Sequence, residues 1–189
     1  MHPTTHLLTG WCLAELDPRL TRREKAAITI AAAAPDLDGF GMLAELLTRD
    51  TARPLLWWTD YHHVLAHNLL FAVLFATLAA VLTSPRAGVL CGVAVHLHIL
   101  GDLIGSRGPD GYQWPIPYLY PFRDRPQLVW SGQWFLNAWP NFVITAALIA
   151  MTSVLAWRRG YSVVGLVSRR ADQAFVGVLR QRFGQPGNC

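Results

Sequence analysis

Three uninterrupted apolar runs constrain this chain more than any other feature. They are residues 64–83 (VLAHNLLFAVLFATLAAVLT), 87–104 (AGVLCGVAVHLHILGDLI) and 141–157 (NFVITAALIAMTSVLAW). Each is about 17–20 residues long, close to the ~20 that a helix needs to cross a bilayer. The composition agrees: 52% of the 189 residues are apolar and only 15% are charged, against ~25% charged in soluble domains. Ser84-Pro85-Arg86 leaves only a tight connection between the first two runs, so they form an antiparallel hairpin. Two shorter segments, 5–16 (THLLTGWCLAEL) and 24–35 (EKAAITIAAAAP), read as half-spanning or protein-packed helices. In residues 161–183 apolar positions 164, 167, 171, 174, 175 and 178 alternate with arginines, the pattern of a helix lying on an anionic membrane surface. The expected fold is therefore all-α. It is a polytopic membrane helical bundle with three long spans, two shorter N-terminal helices and an amphipathic C-terminal helix. Residues 1–157 form the embedded bundle and 158–189 a basic tail.

Residues 105–140 break this pattern. Pro109, Pro115, Pro117, Pro121, Pro126 and Pro140 exclude a continuous helix, and Tyr112, Trp114, Tyr118, Trp130 and Trp134 are of the kind that gathers at membrane–water interfaces. Cys12, Cys91 and Cys189 are far apart and imply neither a disulfide framework nor a CxxC zinc module. The opening MHPTTHLL lacks the basic region of a cleaved signal peptide.

Charge gives an orientation. Arg158, Arg159, Arg169, Arg170, Arg180 and Arg182 follow the last run, which puts the C-terminus in the cytoplasm by the positive-inside rule. Tracing back, Arg86 and the group Arg19, Arg22, Arg23 and Lys25 also fall inside. The net charge of +4 is thus read as topology, with membrane lipids as the partner and no nucleic acid. The same tracing puts His6, Asp36, Asp38, His62, His67, His98 and Asp102 at one level on the extracytoplasmic side.

Several of these residues have spacings that suit chemistry. His98 and Asp102, in HLHILGD, are i, i+4 and share one helix face. That suits two ligands of one ion, or a histidine oriented by a carboxylate. His96 lies about 200° round the helix from His98 and reads as an interhelical hydrogen-bonding residue. In AAPDLDGFG, Pro35 ends a helix and Asp36 and Asp38 follow in a turn that can point both at one cation. In YHHVLAHN, His63 and His67 are i, i+4; His62 joins them only if the helix starts at 63 or later.

The order THLLTG, APDLD, a paired-histidine element at 62–67 and HILGD resembles the YdjM-like inner-membrane proteins over roughly residues 1–125. That family is described as membrane-bound metal-dependent hydrolases, some called LexA-binding. The resemblance puts His62 and His67 at the two histidine positions of the family's His-Arg-Gly-x-Thr-His-Ser element. His63, Val64, Ala66 and Asn68 stand where the family has arginine, glycine, threonine and serine. It implies a metal set of His6, Asp36, Asp38, His62, His67, His98 and Asp102, four imidazoles and three carboxylates. Mixed N/O ligands suit Zn²⁺, Mn²⁺ or Fe²⁺, as one ion or two. Asp36 and His63 are the candidate catalytic groups. The implied activity is hydrolysis of a phosphoester or lipid-like substrate by metal-activated water, with Arg107, Arg123 and Arg125 at hand for phosphate. The alternative is a non-catalytic inner-membrane protein with a structural His/Asp cluster and a tail that recruits a protein partner.

Overall fold

The computed structural model describes residues 1–186; Cys189 and the last residues of the tail lie outside them. The chain is all-helical. Helix α1 spans Pro3–Glu15, α2 Arg22–Ala33, α3 Gly41–Thr48, α4 Trp57–Tyr61, α5 Leu69–Leu82, α6 Pro85–Gly105, α7 Trp139–Arg159 and α8 Arg169–Phe183. Short 3₁₀ segments fill Ala34–Phe40 and Val163–Leu166.

Local chemistry sets most of these boundaries. Thr21 and Glu24 form a reciprocal capping box at the start of α2. Ser84 caps α6 by accepting from Ala87 N, and Pro85 occupies the first turn, where its missing N–H costs nothing. After Arg158 and Arg159, Gly160 adopts φ +78° and stops α7, a backbone state that glycine enters without a Cβ penalty.

Among the described residues, three helical stretches are long and apolar enough to cross a bilayer: Arg22–Thr48, Pro85–Gly105 and Trp139–Arg159. Two match the expected runs. The third replaces 64–83, which is helical only over Leu69–Leu82, 14 residues or about 21 Å. The reason lies just upstream. His62 is extended, His63 has φ +64°, and Asn68 caps the new helix by accepting from Phe71 N at 2.8 Å. Residues 62–68 are therefore an irregular turn, and the i, i+4 helical relation expected of His63 and His67 does not hold. The segment read as half-spanning instead continues: α2 passes through the 3₁₀ turn carrying Pro35, Asp36 and Asp38 and on into α3. No continuous helix forms over 106–138. That stretch is held by isolated bridges, Arg107 to Phe135 and Ile116 to Leu128.

The core is built on α6, which packs against α5, α2 and α1. Small residues let the backbones close. A Cβ on Gly10 would lie 2.4 Å from the Ala32 Cβ, and one on Gly88 would lie 2.6 Å from the Ala80 Cβ. Such small-residue contacts are how helices gain packing where lipid offers no hydrophobic drive. Outward-facing Leu74, Leu78, Val81, Leu82 and Val89 stay exposed, as a lipid-facing surface requires.

Candidate metal centre

Four elements bring the site together. The C-terminal half of α6 presents His98 and Asp102 on one face, as the i, i+4 spacing predicts. The 3₁₀ turn after α2 brings Asp36 and Asp38. The irregular turn before α5 brings His62, His63 and His67. Helix α1 brings His6. At the centre, one donor atom from each of Asp36, His67, His98 and Asp102 lies within 4.8 Å of the other three.

Hydrogen bonds fix the imidazole tautomers. His98 Nδ1–H donates to the Ala32 carbonyl at 2.7 Å. His67 Nδ1–H donates to Asp38 Oδ2 at 2.9 Å. In the neutral, ion-binding form each ring turns a bare Nε2 lone pair inward, and the two Nε2 atoms stand 3.0 Å apart. Asp102 Oδ2 lies 3.0 Å from His98 Nε2 and 3.2 Å from His67 Nε2. Asp36 Oδ1 completes the group, 3.8 Å from His98 Nε2. Three acceptors so close repel one another unless positive charge, either a proton on His67 or a metal ion, sits among them. Their spacing is near the edge of about 3.4 Å expected of a tetrahedron with ~2.1 Å bonds to zinc-like ions. Asp36 Oδ2 and His63 Nδ1 are buried without a partner, each a cost of roughly 1–3 kcal/mol. The residues thus fit a divalent ion with mixed N/O ligands.

The electrostatics in the turn before α5 point the same way. Burial alone would lower the pKa of His67, but hydrogen bonds and charge from Asp102 and Asp38 outweigh it and push the value up to about 9. The site attracts positive charge strongly enough to overcome desolvation. His63 behaves oppositely: burial, reinforced by neighbouring His67, holds it well below the ordinary histidine value.

The remaining expected residues surround this group. His6 Nε2 reaches the other oxygen of Asp102 at 3.1 Å, and its ring stacks on His98 with centroids 3.7 Å apart. The Met1 amino group also contacts that oxygen. Asp38 stands behind the group and joins two histidines, accepting from His62 Nδ1 at 2.9 Å as well as from His67. His63 Nε2 is 3.7 Å from Asp102 Oδ2. His96 is elsewhere, bonded to Gly92 O and the Tyr118 hydroxyl.

Some contributors carried no signal in residue type. The Ala32 carbonyl orients His98 through backbone alone. Gln133 Nε2 donates to the Asp102 carbonyl at 2.7 Å and steadies that turn of α6. Trp114, read as an interfacial ring, turns its face or edge to His62 and His63 at 5.1 and 5.5 Å. Trp58 stacks on His62 at 3.8 Å, and a Cβ at Gly39 would stand 3.3 Å from its ring. Gly39 leaves room for that approach.

The side chains of His67 and His98 are fully buried and that of Asp102 is 2% exposed, whereas that of Asp36 is 21% exposed. The centre therefore opens at its Asp36 edge.

Residues 1–176 match the family model described as YdjM inner membrane protein. Comparison with curated proteins and with solved structures finds no match. Spans of bilayer length and a match over nearly the whole chain agree on an integral inner-membrane protein with a His/Asp group able to hold a metal ion. The chain belongs to the YdjM inner membrane protein family.

Proposed function

We propose that this protein is a membrane-bound metal-dependent hydrolase of a phosphoester or lipid-like substrate, with its ion held by Asp36, His67, His98 and Asp102. The convergence of two bare Nε2 atoms and a carboxylate oxygen within 3.2 Å is the observation that carries the reading. A divalent cation there would acidify a water and polarise a phosphoryl oxygen. Zn²⁺ is the first choice, with Mn²⁺ or Fe²⁺ as alternatives.

The chain's own residues supply the rest. Asp38 and the Ala32 carbonyl hold the two ligand imidazoles in one tautomer and one orientation. His6 anchors the Asp102 oxygen that faces away from the other ligands. His63 stands beside the ligands, 3.7 Å from Asp102 Oδ2 and with its Nδ1 uncommitted, and is the candidate to take a proton from water once substrate opens the site. Asp36, at the open edge, both binds the ion and meets the incoming substrate. Trp58 and Trp114 offer apolar faces to an amphiphile, and Arg107, Arg123 and Arg125, in the loop that carries Trp114, would balance phosphate charge. The site is assigned to the extracytoplasmic side and the C-terminus to the cytoplasm, on the strength of arginine placement.

One observation favours a second reading. With two ligand histidines fully buried, the ion could be structural and the protein non-catalytic, its basic tail recruiting a protein partner.

Hydrolysis of a phosphodiester reporter and of anionic phospholipid by the detergent-purified protein separates the two. Activity that is lost on chelation, restored by Zn²⁺ or Mn²⁺, and reduced at least 100-fold in His63→Gln with metal content intact supports the enzyme. A metal-loaded, folded protein inert toward both substrates leaves only the structural role.

A further inference from the structure

Beyond the metal centre the chain runs into a helical hairpin that the rest of the protein leaves uncovered. Helix α3 packs against α4 and the 3₁₀ turn that carries Asp36 and Asp38, and none of its residues is buried. Its two faces differ. At about 100° per residue, Gly41, Ala44, Glu45 and Thr48 fill an arc of about 100°. That face is committed to α4. A Cβ on Gly41 would lie 2.7 Å from the Trp57 carbonyl carbon. Glu45 accepts from Thr59 N at 3.0 Å, and Thr48 Oγ1 accepts from Leu55 N at 2.8 Å. Met42, Leu43, Leu46 and Leu47 fill the opposite arc of about 140° and are 50–81% exposed. So much contiguous apolar surface marks an interaction site.

What covers this stripe follows from where it begins. Leu37 and Phe40, both exposed, carry it back through the 3₁₀ turn, and Ile30 lies exposed on α2 before them. The stretch Arg22–Thr48 is long and apolar enough to cross a bilayer, and the family is one of inner-membrane proteins. The stripe therefore continues a lipid-facing surface. The hairpin changes character only at its tip, where Arg49, Asp50, Thr51 and Arg53 are exposed and polar. Apolar limbs under a polar tip suit an element seated in a leaflet with its end among headgroups.

We propose that the α3–α4 hairpin is seated in the leaflet on the metal-centre side, with this stripe against phospholipid acyl chains, so that the metal centre opens to lipid. The opening follows from adjacency: Leu37 stands between Asp36 and Asp38 in sequence, and the centre opens at Asp36. A consequence, which rests on the proposed hydrolase reading, is that the substrate is a membrane amphiphile that arrives sideways without leaving the bilayer.

Fluorescence quenching of the full chain in liposomes is the test. Leu37→Cys, Leu43→Cys, Leu47→Cys and Arg53→Cys are each made in a Cys12→Ser, Cys91→Ala, Cys189→Ser background and labelled with bimane. Leu74→Cys, exposed on α5, supplies the lipid-facing standard. Probes at 37, 43 and 47 should lose about half their emission to a shallow doxyl phosphatidylcholine and little to aqueous iodide, as burial about 5–10 Å into the headgroup–acyl boundary requires. The probe at 53 should do the opposite. Iodide quenching at 43 and 47 equal to that at 53 puts the hairpin in water and overturns the proposal. Protection of 43 and 47 from both quenchers means that protein covers the stripe, a second copy of this chain included, and also overturns it. Iodide quenching at 37 alone overturns the opening to lipid. Neither turnover nor bound metal enters this readout, so its failure is distinguishable from failure of the hydrolase reading.

Discussion

At one end of the bundle, Glu15 receives Lys25 at 3.0 and 3.1 Å, the Tyr161 hydroxyl at 3.0 Å, and Arg159. At the other end, Asp102 and Asp36 face His67 and His98, whose Nδ1–H groups are already committed to Asp38 and Ala32. Both clusters are buried, and both tie α1 or α2 to a neighbouring helix. The first is closed: the one carboxylate is held by two cations and a hydroxyl, so both of its oxygens have donors. The second leaves acceptors aimed at one another and two buried polar atoms without partners. An acceptor fully supplied with donors locks a fold, whereas a surplus of acceptors around a common point waits for a cation.

The largest effect that separates the two ends is one of stability. Glu15→Gln would leave the buried Lys25 charged and unmatched, at about 3–5 kcal/mol. Chemical denaturation should show that loss, while the protein that remains folded keeps its metal content. Equal loss of metal would mean that the ends are not separable.

Asp38→Asn probes the opposite end. It keeps the volume but weakens the hold on the His67 tautomer, and should reduce metal affinity about 10–100-fold. Competition with a chromogenic chelator measures it, and the thermal midpoint without metal should change little. An unchanged affinity would show that Asp38 orients nothing.

The smallest effect sharpens the geometry. Asn68→Ala removes the cap that starts α5 and should cost about 1 kcal/mol. Its amide also donates to Val64 O and Leu65 O, at 2.8 and 3.0 Å. Metal affinity should therefore fall in step with stability if that cap shapes the histidine turn.

Much of the candidate site was legible because residue type and spacing carry it. His98 and Asp102 share a helix face at any i, i+4 spacing, and two aspartates after a helix-ending proline stand out against an apolar background. His67 was legible as a candidate ligand, but its setting was not. Apolar periodicity runs through 64–83 without a break, while the break at Leu69 depends on the left-handed backbone at His63 and the cap at Asn68. Ala32 could not be read at all, because any residue supplies the same carbonyl. The roles of Trp58 and Trp114 depend on how the 106–138 loop folds back, which no local pattern encodes. The longest helical path was missed for a related reason: Pro35 ends an α-helix in sequence logic, yet the chain continues in tighter 3₁₀ winding through Phe40.

Metal content of the detergent-purified chain tests the central claim most directly. Inductively coupled plasma mass spectrometry of the wild type should find about one first-row transition metal per chain. His67→Ala plus His98→Ala, purified in parallel and still folded, should hold none. A wild type as free of metal as that variant, even after incubation with Zn²⁺, Mn²⁺ and Fe²⁺, would contradict the account.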